Sequence, residues 1–146
     1  MQIRTVAIGC DHAGFPLKTP ITEYLRSKGY LIIDFGTNST DSVDYPDYVH
    51  PLAKCLLEKK AERGILICGS GNGVCMTANK HAGIRAALVW QEEIAALARK
   101  HNNANVICLP ARFISPASAV QCVDIFLHTE FEGGRHERRV EKITEF

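Results

Sequence analysis

The sequence predicts an α/β fold, a Rossmann-like three-layer sandwich of about five parallel strands with helices on both faces. Three observations predict it. Short apolar runs alternate with segments of helical periodicity along nearly the whole chain. The connectors between them are short, as in βαβ units. The strand runs are almost wholly apolar rather than alternating, the pattern of strands covered on both sides.

Each element has its own signal. Arg4 to Gly9 is the first strand, and Cys10-Asp11-His12-Ala13-Gly14 follows it. The spacing of Ile21, Tyr24 and Leu25 predicts a helix from about Pro16 to Lys28, stopped by Gly29. Tyr30 to Asp34 is the second strand, and a polar loop runs from Gly36 to Asp44. Tyr48 to Lys60 reads as a helix, and Gly64 to Cys68 as the third strand. Gly69-Ser70-Gly71-Asn72-Gly73 comes next and leads into a helix over Val74 to Lys80. Ile84 to Trp90 is a fourth strand, Gln91 to Lys100 an Ala-rich helix and Asn105 to Leu109 a fifth strand. Ser115 is placed to cap a helix reaching His128, with Pro116 at its first position. Arg135 to Ile143 reads as a short charged helix.

Composition bounds the function. At 146 residues the chain is expected to be one domain over 1–146, long enough for a core without staples. Apolar residues are 46% and charged residues 23%, so disordered and fibrous classes are excluded. Seventeen Lys and Arg against sixteen Asp and Glu give a net charge of +1. That argues against charge-driven binding to nucleic acid or a membrane surface, and no run is long enough for a membrane span. The first apolar stretch contains Arg4 and reads as a strand rather than a leader. None of the six cysteines forms a C-x-x-C pair, so the usual zinc spacing is absent. Most sit in apolar runs, which suits reduced thiols and a cytoplasmic location.

In such sheets ligands bind beyond the carboxyl ends of the strands. Three polar groups are expected there: Asp11 and His12, then Cys68 with its glycine-rich loop, and finally His101 with Asn102 and Asn103. The loop Gly69 to Gly73 is the sharpest signal. Its alternate glycines let N–H groups gather at a helix start, which suits an anion. It matches neither a Walker A loop nor a dinucleotide fingerprint, and a tight turn without a ligand fits it too. Cys68 is either strand filler or, beside a helix N-terminus, a thiol disposed to ionise. A thiolate beside an anion hole could remove a proton from carbon next to a carbonyl. His12 and His101 suit surface or capping roles as well as chemistry, and Asp11 could cap the next helix. Arg135 and Arg139, four apart, form either a solvated face or a two-Arg phosphate clamp, with Arg112 a third candidate. Tyr45 could bond a sugar hydroxyl or anchor its loop.

Taken together these segments resemble a known family. Gly9 to Gly14, Asp44-Tyr45-Pro46, Leu66 to Gly73, Ala78-Asn79-Lys80, Gly83 to Ala86, His101 to Asn105 and Glu132 to His136 with Arg139 stand in order at matching spacing. The set is similar to the sugar-phosphate isomerase family of the ribose-5-phosphate isomerase B type, which also holds galactose-6-phosphate isomerase subunits. The resemblance implies a cofactor-free, metal-free aldose–ketose isomerase working through a cis-enediolate. It implies that Cys68 moves the proton between C2 and C1 while Ser70 exchanges protons with the substrate oxygens. Backbone N–H groups of Gly69, Gly71, Asn72 and Gly73 form the anion hole. His101 and Asp11 open the furanose ring. His12, Arg112, Arg135 and Arg139 bind phosphate, and Tyr45 and Asn102 position the sugar. It further implies a homodimer whose active sites draw on both subunits.

Two positions bear on the branch. One branch uses a glutamate base where this chain has Val74 and lacks the cysteine, so Cys68 fits the other branch. Asn103 stands where many relatives carry Asp. The preferred sugar stays open between ribose 5-phosphate and the allose or galactose 6-phosphates. A non-catalytic phosphate-binding module and a thiol hydrolase using Cys68 and His101 are the readings from other classes.

Overall fold

The computed structural model describes residues 2–146. One parallel sheet holds β1 (Thr5–Cys10), β2 (Leu31–Asp34), β3 (Arg63–Cys68), β4 (Ala86–Leu88) and β5 (Val106–Pro110), in the order β2-β1-β3-β5-β4. The connecting helices are α1 (Phe15–Ser27), α2 (Pro46–Leu57), α3 (Asn72–Ala78), α4 (Glu92–Lys100) and α5 (Pro116–His128). The chain then forms α6 (Arg135–Glu141) and a 3₁₀ turn, Lys142–Thr144.

The period-two geometry of strands divides the apolar runs between two cores. Val6 and Ile8 of β1, Ile65 and Ile67 of β3, and Ile107 and Leu109 of β5 pack with α1, α4 and α5. Ala7, Leu66, Cys68, Val106 and Cys108 face the other way, against α2 and α3. Phe126 of α5 is the largest wholly buried side chain. Truncating such a residue to Ala typically costs ~3–5 kcal/mol. The two-sided cover read from the sequence holds for β1, β3 and β5. It does not hold at the edges: Leu31 of β2 is exposed and β4 is half-buried throughout, because an edge strand has a neighbour on one side only.

Local signals act as their chemistry requires. The Ser118 N–H donates to the Ser115 hydroxyl at 3.1 Å, which caps α5. Pro46, rather than Tyr48, opens α2, since a proline at the first position needs no N–H.

The chain leaves β1 for β2 on one side and returns to β3 on the other. This makes a switch-point crevice at the carboxyl ends of β1 and β3. The Asp11 N–H donates to the Ile67 carbonyl at 3.2 Å, joining the two strand ends.

Candidate active site

A cavity of about 400 Å³ opens at that crevice, lined by Asp11, His12, Ala13, Tyr45, Cys68, Gly69, Ser70, Gly73, Arg112 and Phe113. Cys68 ends β3, is 5% exposed, and sits on the sheet face that α2 and α3 cover. Backbone bonds clamp its loop to the segment after β5: the Ala111 N–H donates to the Cys68 carbonyl at 2.9 Å and the Arg112 N–H to the Gly69 carbonyl at 3.0 Å. The Arg112 guanidinium therefore lies over Gly69. Gly71 turns the chain into α3 with φ +77°, and a Cβ there would sit 2.5 Å from Leu88. Gly71 is buried and Asn72 exposed, so neither side lines the cavity directly. The Asn72 N–H donates to the Ser70 hydroxyl oxygen at 3.3 Å, which leaves the Ser70 O–H available to donate elsewhere.

Asp11 is buried, and its Oδ1 accepts the Gly14 N–H at 3.0 Å. It thus braces the approach to α1 while lining the cavity. Nδ1 of His12 accepts the Val43 N–H at 3.2 Å, so the neutral ring carries its proton on Nε2. The Tyr45 ring lies against Gly73. The loop bearing Val43 and Tyr45 is fastened by Lys18, a buried cation. Its Nζ donates to Asp34 at 3.0 and 3.1 Å, the Thr37 carbonyl at 2.6 Å and Asn38 Oδ1 at 2.8 Å.

His101 is not at this end of the sheet. The expectation that it joins Asp11 and Cys68 at the carboxyl ends is corrected by topology. α4 runs antiparallel to the strands, so the turn between it and β5 lies at the amino ends. There a second cleft of about 330 Å³ is lined by His101, Asn102, His136, Arg139, Val140 and Ile143. Arg135 is exposed on α6 outside that lining. One chain therefore brings together Asp11, His12, Tyr45, Cys68, Ser70 and Arg112, and separately His101, Asn102 and Arg139. A larger cavity, about 530 Å³, runs beside β4 and the C-terminal residues. It contains neither Cys68 nor His101, though Asn102 lines it as well.

Asn103 closes the turn before β5 with φ +47°, a conformation that Asn tolerates. Its Oδ1 accepts from Arg99 Nη1 and its carbonyl from Arg85 Nε, each at 2.9 Å. The side chain thus holds the turn that presents His101 and Asn102. Arg99 is buried with carbonyl and amide oxygens as partners, and burial pulls its pKa down to about 10.

The other cysteines are set apart by environment. Burial pushes the Cys10 and Cys122 thiols up to about 11, and Cys108 well above the ordinary range. Cys75 goes the other way, lowered by the neighbouring Cys108 thiol, while its own S–H donates to the Ala86 carbonyl at 3.3 Å. Neither Cys10 nor Cys75 lines the Cys68 cavity. Sequence reasoning missed Lys18, because a lysine beside apolar helix positions reads as a snorkelling surface residue, and Phe113, an exposed aromatic at the cavity rim. Among the described residues no helix is long and apolar enough to cross a membrane.

A parallel α/β sheet with a thiol, a carboxyl, an imidazole and a guanidinium around its switch point defines a small-molecule α/β enzyme scaffold with a polar site. A family model described as Ribose/Galactose Isomerase matches residues 6–143, and the chain belongs to that family. A probable ribose-5-phosphate isomerase B of Mycoplasma genitalium is 48% identical over 143 residues, covering 97% of this chain and 94% of the relative. A ribose 5-phosphate isomerase crystal structure from Thermotoga maritima superposes with a TM-score of 0.96 at 49% identity, covering 98% of this chain and 99% of that one. A structure of ribose-5-phosphate isomerase B from Mycoplasma genitalium with bound ribulose-5-phosphate gives 0.92 at 46% identity, covering 99% and 97%.

Proposed function

We propose that this protein is a single-domain aldose–ketose isomerase that interconverts ribose 5-phosphate and ribulose 5-phosphate. The observation that carries the reading is the position of Cys68. It ends β3 at the switch point, beside Ser70 and a glycine loop, in one cavity with Asp11, His12, Tyr45 and Arg112.

In this reading the Cys68 thiolate takes the C2 proton of the open-chain aldose. The C2–H electrons form the C1–C2 double bond and the carbonyl oxygen gains the charge. Backbone N–H groups of the Gly69 to Gly73 loop hold that oxygen, those of Gly69, Ser70 and Gly73 lining the cavity, and such preorganised donors are often the largest contribution to catalysis. Ser70 passes a proton from O2 to O1. The Cys68 thiol then returns its proton to C1, leaving the ketose. The step is redox-neutral overall and calls on no cofactor. Asp11 and His101 open the furanose ring, Tyr45 and Asn102 position the sugar, and His12, Arg112, Arg135 and Arg139 hold the phosphate. Binding the phosphate far from C1 and C2 fixes the reacting carbons in place.

Cys68 and His101 lie in separate clefts of one chain, at opposite ends of the sheet. The reading therefore takes the protein as a homodimer. The partner subunit's His101, Asn102, Arg135 and Arg139 complete the cavity of Cys68, and a two-fold axis makes two such sites. Six free cysteines support a reducing compartment, the cytoplasm.

The test is turnover of ribose 5-phosphate by purified protein in chelator, with Cys68→Ala alongside. The wild type turns over, and the variant loses at least ~10²-fold while still binding the sugar phosphate. Retained turnover in Cys68→Ala removes it as the base. Turnover of allose or galactose 6-phosphate alone reassigns the substrate, galactose being the second sugar in the family's description.

A further inference from the structure

We propose that His101, Glu132 and His136 form a binding site for a zinc-like transition-metal dication, and that filling it inhibits the enzyme. The inhibitory part rests on the reading of His101 as the ring-opening group; the binding part does not.

The backbone sets the cluster. The Glu132 N–H donates to the Lys100 carbonyl at 3.1 Å, pinning this segment beside the end of α4 and hence beside His101. Gly133 and Gly134, with φ +67° and +57°, turn the chain sharply into α6 and swing His136 back over the same spot. The two imidazoles stack with centroids 4.2 Å apart and planes 13° from parallel. Nε2 of each lies near one oxygen: Glu132 Oε1 is 3.9 Å from His101 Nε2 and 3.8 Å from His136 Nε2. The three ligand atoms all lie within 4.8 Å of one another.

Two imidazoles and one carboxylate are the ligand set of an open zinc site, which keeps a fourth position for water. Bonds of ~2.0–2.2 Å to a tetrahedral ion put ligand atoms ~3.3 Å apart, so the Glu132 oxygen must draw in by about half an ångström toward each ring, and the stacked rings must tilt apart so that their in-plane lone pairs converge on the ion. Glu132 is exposed and His101 partly so, and both can make that movement. Imidazole donors select zinc-like ions over magnesium or calcium.

The surrounding charges act in two directions. Arg135 and Arg139 repel a cation. Glu132, whose Oε1 lies 3.8 Å from His136 Nε2 and 3.9 Å from His101 Nε2, offsets them. Asn102 and Arg139 share the cleft, so an ion there stands where the sugar phosphate must approach.

The experiment titrates chelator-treated protein with Co²⁺ and follows the visible d–d absorption of the bound ion. Turnover is measured in parallel with Zn²⁺. The expected result is a nitrogen–oxygen spectrum without thiolate charge-transfer absorption, binding weakened at least ~10-fold in both Glu132→Gln and His136→Gln, and inhibition reversed by chelator. Circular dichroism checks that both variants remain folded. A thiolate charge-transfer band that persists in both variants, or binding indifferent to both, overturns the site. Binding lost in the variants, with turnover untouched by Zn²⁺, keeps the site and overturns the inhibitory role and the reading of His101 behind it.

Discussion

The ring of Tyr45 rests on the bare α-carbon of Gly73: a Cβ at 73 would stand 2.6 Å from the ring's Cζ. The glycine is thus required by a side chain from a distant loop, and the contact couples the end of the polar loop to the turn after Cys68. Gly73→Ala must displace a rigid ring or the turn itself. We expect it to lower kcat/KM by ~10²-fold, the scale of a misplacement near one ångström. Steady-state kinetics of Gly73→Ala, Tyr45→Ala and the double variant check it. The double variant should be no worse than Tyr45→Ala alone, and additive losses would mean that the contact is not what Gly73 serves.

Lys18 supplies a second prediction. It ties Asp34, Thr37 and Asn38 together, and the same loop bears Val43, whose N–H fixes the His12 tautomer. Lys18→Met should cost ~2 kcal/mol by denaturant unfolding, the scale of hydrogen bonds to a charged group. It should also raise KM for the sugar phosphate as His12 and Tyr45 lose their fixed positions. Unchanged KM would show that the loop is held by its backbone bonds to Cys10 instead.

The cysteines should separate by reactivity. With Cys10 and Cys122 raised to about 11 and Cys108 higher still, these three stay protonated and unreactive at pH 7.5. Cys75 is half-buried and lowered by the neighbouring Cys108 thiol, so it should take label. Cys68 should take label too, being at a cavity wall. Peptide mapping after brief alkylation should find Cys68 and Cys75 modified, with sugar phosphate protecting Cys68 and activity together. Inactivation that follows Cys75 instead would move the essential thiol.

Much of this was legible beforehand. Ser115 with Pro116 marked the start of α5, because a hydroxyl cap and a proline first residue have a local cause. Cys68 followed by alternate glycines marked the strand–turn–helix of the site for the same reason. His101 was misplaced because its end of the sheet depends on which connection it belongs to: it lies after a helix and before a strand, not after a strand. Asn103, whose effect the sequence leaves open, is a turn residue by its αL backbone and its bonds to Arg99 and Arg85. Lys18 was invisible, since nothing local tells a buried lysine from an exposed one. Its partners lie sixteen to twenty residues away.

In the proposed function, two half-sites, one around Cys68 and one around His101, become one active site between two copies of the chain. Co-expression of Cys68→Ala and His101→Ala chains carrying different affinity tags, with isolation of the mixed dimer, tests it most directly. Each variant homodimer should be inactive. The mixed dimer holds one site with both groups intact and one with neither, so it should recover about half of the wild-type turnover of ribose 5-phosphate. A mixed dimer as inactive as its parents would contradict the account, since it would mean that each chain completes its own site.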